Sequence, residues 1–252
     1  MPAMDYSRVA HLYDTYVQTE VDIPFFVKEA QKAEGPVLEL MAGTGRVSLP
    51  LLRMGIDLTC VDSSEAMLDV FREKLRTEDL SAEPIRADIC QLSLGRQFAL
   101  IFIPFHSFAE ITDPAQQQQA LQAIHSHLAP TGRFICTLHN PPVRLKLVTG
   151  RKQKLGDFPL PDGHLLTLSC VEHYHVATGR VHGTQFYEIR EYGGGPIATM
   201  EVDLQFCLHS FNEFRLLAEA AGFVPVHLYG DYSCAPFDPD GSPFMIWILR
   251  RA

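Results

Sequence analysis

A chain of 252 residues, 46% hydrophobic and 20% charged, is long enough to bury the core of one domain carrying an insertion, and it shows no bias toward disorder or fibres. Its formal charge of −9, from 21 basic and 30 acidic residues, sets up a field that repels a polyanion and so disfavours nucleic acid as a partner. No run approaches the roughly 18 to 20 apolar residues of a membrane span, the opening MPAMDYSRVAHLYD is too polar for a signal peptide, and the six scattered cysteines without a C-x-x-C pair read as reduced thiols of a cytoplasmic protein.

In chain order, the segment YSRVAHLYDTY places Tyr6 and Tyr13 seven residues apart, on one face of a helix two turns from each other. Residues 1–30 are expected to form a helical lid. From residue 37 short apolar runs alternate with helix-like stretches, the pattern of a doubly wound, mostly parallel α/β sheet. Strands are expected at 37–40, 57–61, 83–87, 98–103 and 133–139. Helices are expected at 44–54, at 64–76 with Ser63 or Ser64 as N-cap, in a short turn near 91–94, and from Asp113-Pro114 to Pro130.

After His139 the rhythm changes. Asn140-Pro141-Pro142 ends the strand, and a loop with basic residues and glycine is expected to run to about Gly163. Three long β-prone segments then predict an antiparallel three-strand meander over 164–209, an insertion spanning 160–209 that roofs the active-site side. A helix at 212–221 and strands at 223–229 and 244–250 close a seven-stranded sheet whose last strand pairs antiparallel. The whole is read as one domain of residues 1–252, with 37–139 as its ligand-binding half and 210–252 as its closing helix and strands.

The informative stretch is VLELMAGTGRVSLPLLRMGIDLTCVDSSEAML, residues 37–68. A buried strand ends on an acid, a glycine turn opens into a helix, and the neighbouring strand ends on Asp62. Gly43 and Gly45 permit positive φ and close approach of a ligand to backbone, the helix start offers N–H groups and a positive dipole end, and Asp62 can accept from both hydroxyls of a ribose.

These residues resemble the class I S-adenosylmethionine-dependent methyltransferase superfamily, small-molecule type, whose acidic-x-G-x-G-x-G motif stands here as Glu39-Leu40-Met41-Ala42-Gly43-Thr44-Gly45. Met41 replaces the first glycine. The resemblance implies S-adenosyl-L-methionine as cofactor, leaving as S-adenosyl-L-homocysteine, with Gly43, Gly45 and Glu39 at its methionine part, Asp62 on the ribose and Ser63 beside the adenine. It further implies Asp88, in Ile85-Arg86-Ala87-Asp88-Ile89, as acceptor from the adenine amino group. Met41, Ala42, Arg46, Met67, Ala87, Ile89, Ile103 and Pro104 complete the expected cofactor set. The N-terminal Tyr6, Ala10, Tyr13 and Asp14 match a Y-x-x-x-A-x-x-Y-D arm that caps the cofactor in related enzymes, which adds Tyr13 to that set and sets Tyr6 near the reacting centre. A dehydrogenase fingerprint would need a third glycine where Ser48 stands.

Methyl transfer from a sulfonium asks the protein for alignment, water exclusion and sometimes a base. His106, just past the fourth strand, is the expected base, with Glu110 four residues on to orient it or hold a cationic substrate, and Tyr6 as a third catalytic candidate. Phe105, His139 and Asn140 are expected to face the acceptor. Asn140-Pro141-Pro142-Val143 is similar to an N-P-P-aromatic motif of nucleic-acid amino-methylating enzymes, yet it follows strand five and Val143 is not aromatic, so it is read as a strand terminator. His173, His175, His182 and His209 lack a carboxylate or cysteine at ligand spacing, and no metal is assigned.

The sequence therefore predicts methyl transfer to nitrogen or oxygen of a small-molecule acceptor by a monomer or homodimer that engages no membrane. Tyr174, Phe186, Tyr187, Tyr192 and Phe206 of the insertion are expected to suit a planar or partly apolar acceptor. Two other functions stay open: an RNA or protein methyltransferase using a basic surface at Arg144, Lys146, Arg151, Lys152 and Lys154, and a non-catalytic S-adenosylmethionine-binding module. Acceptor, attacking atom and oligomeric state are not written in the residues.

Overall fold

The computed structural model describes residues 4–191 and 193–252. Among these residues two sheets form. The main sheet is built from β1 (Val37–Leu40), β2 (Leu58–Asp62), β3 (Ile85–Arg86), β4 (Phe98–Ile103), β5 (Leu128–His139), β10 (Phe223–Tyr229) and β11 (Phe244–Arg251), in the order β10-β11-β5-β4-β1-β2-β3. Strands β1 to β5 pair in parallel, and β11 runs antiparallel to both β5 and β10. This is the expected doubly wound sheet with an antiparallel finish. The order reverses between β1 and β4, so a crevice opens at the carboxyl ends of those strands.

Alternate residues of the central strands feed opposite layers. Leu38, Leu40, Ile101 and Ile103 pack with Ala120, Leu121 and Ile124 of α5 (Pro114–His127) and with Phe214 and Ala218 of α7 (Phe211–Ala220). On the other face Leu100, Phe102, Ile135 and Ile246 pack with Phe25 and Phe26 of α2 (Ile23–Gln31) and with Leu51 of α3 (Ser48–Arg53). Further along, Leu68, Phe71 and Leu75 of α4 (Glu65–Thr77) cover Leu49 and Cys60. Burying strands on both faces is what makes them read as continuous apolar runs.

Several boundaries depart from expectation for local reasons. The helix expected from residue 44 starts only at Ser48, because Gly43 (φ +56°) and Gly45 (φ +80°) hold the preceding turn open. Helix α5 stops at His127 and not at Pro130: the chain turns straight into β5, where Leu128 pairs with Phe98, and a residue before proline avoids the helical region. Strand β3 is two residues long, since Asp88 immediately caps a 3-10 turn by accepting from the Cys90 amide at 2.8 Å. Residues 1–30 are not one lid. The described part up to Tyr16 is a 3-10 turn at Tyr6–Arg8 followed by α1 (Ala10–Tyr16), broken at Val9, whereas α2 belongs to the main layers.

The second sheet has four strands where a three-strand meander was expected: β6 (Gln153–Pro159), β7 (Leu165–His175), β8 (Arg180–Arg190) and β9 (Pro196–Cys207) in sequential antiparallel order. Strand β6 was read as loop because it is an edge strand with mostly exposed residues, and a solvated edge carries no apolar alternation. A short helix, α6 (Pro141–Arg144), leads into it from β5, so Asn140-Pro141-Pro142 does end that strand as expected. The sheet and the N-terminal arm share a core of their own, in which Val9 and Leu12 meet Leu166, Leu168, Tyr187 and Val202.

The glycine turn is a packed feature as well as a bend. A methyl group at Gly45 would come within 2.3 Å of the Phe71 ring, at a φ that side chains rarely adopt. Gly45→Ala should therefore lower stability by about 2 kcal/mol or more, seen as a lower denaturant midpoint with unchanged slope. An unchanged midpoint would contradict the packing of this turn on α4.

Candidate functional site

The crevice holds a cavity of about 580 Å³. Its walls come from the N-terminal arm (Met4, Tyr6, Tyr13, Tyr16, Val17), the turn after β1 (Met41, Gly43), the tip of β2 and the start of α4 (Asp62, Ser63, Met67), the segment after β3 (Asp88, Ile89, Cys90), the segment after β4 (Phe105, Ser107, Glu110, Ile111, Thr112), and Gln116 and Gln185. A recess of about 30 Å³ shares Tyr13, Met41, Gly43, Phe105 and Ser107 with it and adds Glu39, Ala42, Thr44, Arg46, Val47 and Pro104.

Local structure explains how each group arrives there. Asp62 ends β2 with its carboxylate bound on one side to the Gly43 amide at 2.7 Å and on the other to the Ser64 amide at 2.8 Å. One side chain thus ties the turn after β1 to the start of α4. Burial, the largest influence, still holds its carboxyl above the usual carboxylate range, opposed by these amide bonds. Glu39 lies in the floor of the sheet, 1% exposed, and accepts from the Ser48 hydroxyl at 2.6 Å. Its burial pushes it up to about 8.

Arg46 projects from the same turn and grips the fully buried carboxylate of Asp22 through two nitrogens at 2.5 and 2.6 Å, while donating to the Thr19 carbonyl. Its guanidinium lies 4.7 Å from the centre of the Phe105 ring. The arm is docked onto this turn: Asp14 accepts from Thr44 at 2.6 Å and from Lys74 of α4 at 2.7 Å. At its other side Tyr16 and Tyr187 exchange a hydroxyl contact at 3.0 Å, and Arg8 donates to the Glu201 carbonyl. Tyr6 and Tyr13 lie edge to face at 6.1 Å although no continuous helix joins them.

The chain leaves β4 through two consecutive left-handed residues, Phe105 (φ +54°) and His106 (φ +63°). Such backbone is costly for side-chain-bearing residues and persists only where its surroundings fix it. Here the His106 ring stacks on His139 at 3.8 Å and faces Phe244 at 5.0 Å, while its amide donates to Thr137. A 3-10 turn, Ser107–Glu110, then swings back over the cavity and presents Glu110, which accepts from the Tyr6 hydroxyl at 2.7 Å.

Most of the expected site is brought together. Tyr6, Tyr13, Glu39, Met41, Ala42, Gly43, Arg46, Asp62, Ser63, Met67, Asp88, Ile89, Pro104, Phe105 and Glu110 all line the cavity or its recess. Gly45, Ala87 and Ile103 support it from behind: Gly45 packs on Phe71, the Ala87 amide donates to the Asp62 carbonyl, and Ile103 is core. His106 and His139 are stacked on each other and line neither space. Burial pushes His106 down to about 3, so its ring is neutral and serves to brace the turn. Glu110 does not orient His106, because its partner is Tyr6.

Asn140 is spent on backbone, donating to the Pro239 and Ser242 carbonyls. The aromatic insertion residues do not line the cavity either. Tyr187 packs on the arm, Phe186 lies under Lys152, Phe206 under Arg144, Tyr174 is on β7 away from the walls, and Tyr192 falls outside the described residues. Gln116 and Gln185 were missed because they reach the wall from α5 and β8, far away in sequence. Tyr16, Ser107 and Cys90 were within a few residues of expected positions, and their direction was not legible.

Residues 37–132 match the model of a family described as "Methyltransferase domain". A stretch of 111 residues is 33% identical to a demethylmenaquinone methyltransferase of Clavibacter sepedonicus, and the match spans 43% of this chain and 43% of that protein. The fold is similar over nearly its full length to the CcbJ methyltransferase from Streptomyces caelestis (TM-score 0.77, 24% identity, 97% of this chain and 96% of that one). It is similar also to CalS10, an amino pentose methyltransferase from Micromonospora echinaspora solved with SAM bound (TM-score 0.73, 14% identity, 96% of this chain and 95% of that one).

Two of the raised carboxyls, Glu39 and Glu110, give a test that needs no ligand. Glu39 and Glu110 hold their protons more tightly folded, to about 8 and about 7, than at their ordinary value of 4.5. Their contribution to stability is full below about pH 4.5 and is lost as pH rises through about 7 to 8. Glu39→Gln should flatten the fall in unfolding free energy between about pH 5 and about pH 8 relative to the parent. Parallel pH profiles for the two proteins would show that Glu39 titrates normally.

Proposed function

We propose that the chain transfers a methyl group from S-adenosyl-L-methionine to nitrogen or oxygen of a small-molecule acceptor, a reading supported by the match of residues 37–132 to the model of a methyltransferase domain and by a fold similar to that of solved methyltransferases. When bound, that cofactor supplies a methyl group already activated by a positively charged sulfur. The observation that carries the reading is the placement of Asp62 and Asp88 on the cavity and of Glu39 on the recess that shares its walls, the three acids coming from β1, from the tip of β2 and from the segment after β3.

The residues present fit such a ligand. Asp62 is braced by two amides, so its remaining acceptor capacity faces the cavity for a pair of ribose hydroxyls. Asp88 and Ile89 offer an acid and an apolar surface to an adenine, with Ser63 and Met67 opposite in the wall. Glu39, buried and proton-rich, gives an ammonium group a carboxyl that ionises on meeting it, and Arg46 and Tyr13 stand in the same recess for a carboxylate. Gly43 keeps that floor low, since a methyl group there would meet Met67 at 3.3 Å under a strained φ of +56°. Tyr6, Tyr13 and Tyr16 form the arm's side of the wall, where they would shield a bound ligand from water.

A small acceptor is supported by the cavity's volume of about 580 Å³, and an amino pentose is the acceptor class that CalS10's name gives. A polyanionic substrate finds less support. Of the basic cluster, Arg144 is paired with Glu172 at 2.6 Å, Lys154 with Asp157 at 2.5 Å, and Lys152 lies over Phe186 at 3.8 Å. Six free cysteines suit a reducing compartment, and we assign the reaction to the cytoplasm. Among the described residues no helix is long and apolar enough to cross a membrane.

Calorimetry with S-adenosyl-L-homocysteine tests the placement of the cofactor. Asp62→Ala removes hydrogen bonds to a charged acceptor and should weaken binding by about 10-fold to 100-fold. Full affinity in that variant would remove the ribose from Asp62, and absence of binding to the parent protein would remove the reading altogether. Binding without turnover of methyl-labelled cofactor on any extracted metabolite would favour a non-catalytic module.

A further inference from the structure

The cavity contains a feature that cofactor binding does not use: a carboxyl and a phenol held together on the wall, in a space whose charged groups are all acidic. We propose that Glu110, steadied by Tyr6, takes the proton that the acceptor sheds, and that the cavity selects an uncharged or cationic acceptor while rejecting phosphorylated and carboxylated ones. This rests on the methyl-transfer reading above and deepens it.

Geometry is the first support. The left-handed pair Phe105–His106 reverses the chain at the end of β4, and the turn Ser107–Glu110 carries the carboxyl back over the crevice. The Tyr6 hydroxyl donates to Glu110 Oε1 at 2.7 Å, and Oε2 has no hydrogen bond among the described residues. One oxygen is fixed by the arm and the other is free for a proton. His106, the nearest histidine in sequence, stacks on His139 behind the wall with Nδ1 shielded from solvent, so it does not compete for that role.

Charge is the second. The groups that titrate on the cavity wall are Tyr6, Tyr13 and Tyr16 from the arm, Asp62 from β2, Asp88 and Cys90 after β3, and Glu110 itself. No lysine, arginine or histidine is among them. The recess has Arg46, but the reading above gives that residue to the carboxylate of the cofactor, which leaves no cation for an acceptor. With Asp62 and Asp88 given to the cofactor, an acceptor bearing a phosphate or carboxylate would face the Glu110 carboxyl with no wall cation to pair with, a like-charge penalty that disfavours it. An amine or a hydroxyl compound meets no such penalty, and Gln116 and Gln185 offer it uncharged hydrogen-bonding groups.

The proton inventory agrees with this placement. Burial, opposed by the Tyr6 bond and helped by the Asp62 charge, lifts Glu110 to about 7, the range in which a general base is most useful at neutral pH. In the step itself the nucleophile's lone pair forms the new bond to the methyl carbon. The carbon–sulfur bond breaks with its electron pair staying on sulfur, and the proton released from the nitrogen or oxygen goes to Glu110, while Tyr6 keeps its own. Tyr6 is a positioning residue for this carboxyl.

Two measurements test the proposal, one of them free of cofactor. In protein labelled with 13C at glutamate carboxyls, one resonance should titrate near 7, vanish in Glu110→Gln, and move to higher pH in Tyr6→Phe, because the phenol bond favours the ionised form. With methyl-labelled S-adenosyl-L-methionine, the probes are amines and sugar alcohols presented alone and as matched phosphate esters or carboxylates. Label should enter the uncharged or cationic members and not their anionic partners.

Glu110→Gln should cut the single-turnover rate at least about 100-fold with unchanged affinity for S-adenosyl-L-homocysteine, and Glu110→Asp should recover part of it. Tyr6→Phe should shift the acidic limb of the pH–rate profile upward. A Glu110 resonance titrating near 4.5, a Glu110→Gln enzyme as fast as the parent, or equal methylation of anionic probes would each overturn the proposal. Failure to bind S-adenosyl-L-homocysteine would instead overturn the methyl-transfer reading and this one with it.

Discussion

The structure of the site depends on one carboxylate. Asp62 closes β2, and by accepting from the Gly43 and Ser64 amides it fixes the turn after β1 and the first turn of α4 in one arrangement. A backbone amide pair on a single acid is stronger than neutral hydrogen bonds of the same length. It also holds Gly43 and Gly45 in the left-handed turn that Phe71 and Met67 back up. Much of this side of the cavity is referred to that point: Ser63 follows it, Met67 is one turn on, and the Ala87 amide bonds its carbonyl to set Asp88.

A second constraint operates at the end of β4. The left-handed pair Phe105–His106 is held by a histidine stack and by Thr137, and the expense of that backbone is offset by packing against β5 and β11. Its product is the return of Glu110 to the cavity. His106 and Glu110 thus act in one device, although the histidine is the brace and the carboxyl is the group at the wall. Sequence position alone favoured the reverse, since imidazole is the usual base near neutral pH. Burial acts on both groups in opposite senses: it keeps His106 neutral and raises Glu110 to about 7.

The parts of the fold legible in the sequence were those with a strong local signal. Buried parallel strands such as 98–103 are continuous apolar runs, Asp113-Pro114 and Ser64 are helix starts by side-chain chemistry, and the acid–glycine–acid stretch from Glu39 to Asp62 supplies residues that border the cavity and its recess. Strand β6 lacked such a signal because an exposed edge needs no alternation. The directions of His139 and Asn140 were illegible for another reason: the first is taken by a stack and the second by carbonyls about 100 residues away, contacts that only the folded chain defines. Gln116 and Gln185 entered the wall by the same long-range route, one from α5 and one from the inserted sheet.

The crevice that carries Asp62, Asp88 and Glu110 is the proposed seat of an adenosyl amino acid. A crystal structure grown with S-adenosyl-L-homocysteine tests it most directly. The expected result is ribose hydroxyls on Asp62, the adenine between Ser63, Met67 and Ile89 with its amino group toward Asp88, and the amino-acid end in the recess beside Glu39 and Arg46. Density for the ligand elsewhere on the protein, with this crevice filled only by water, would contradict it.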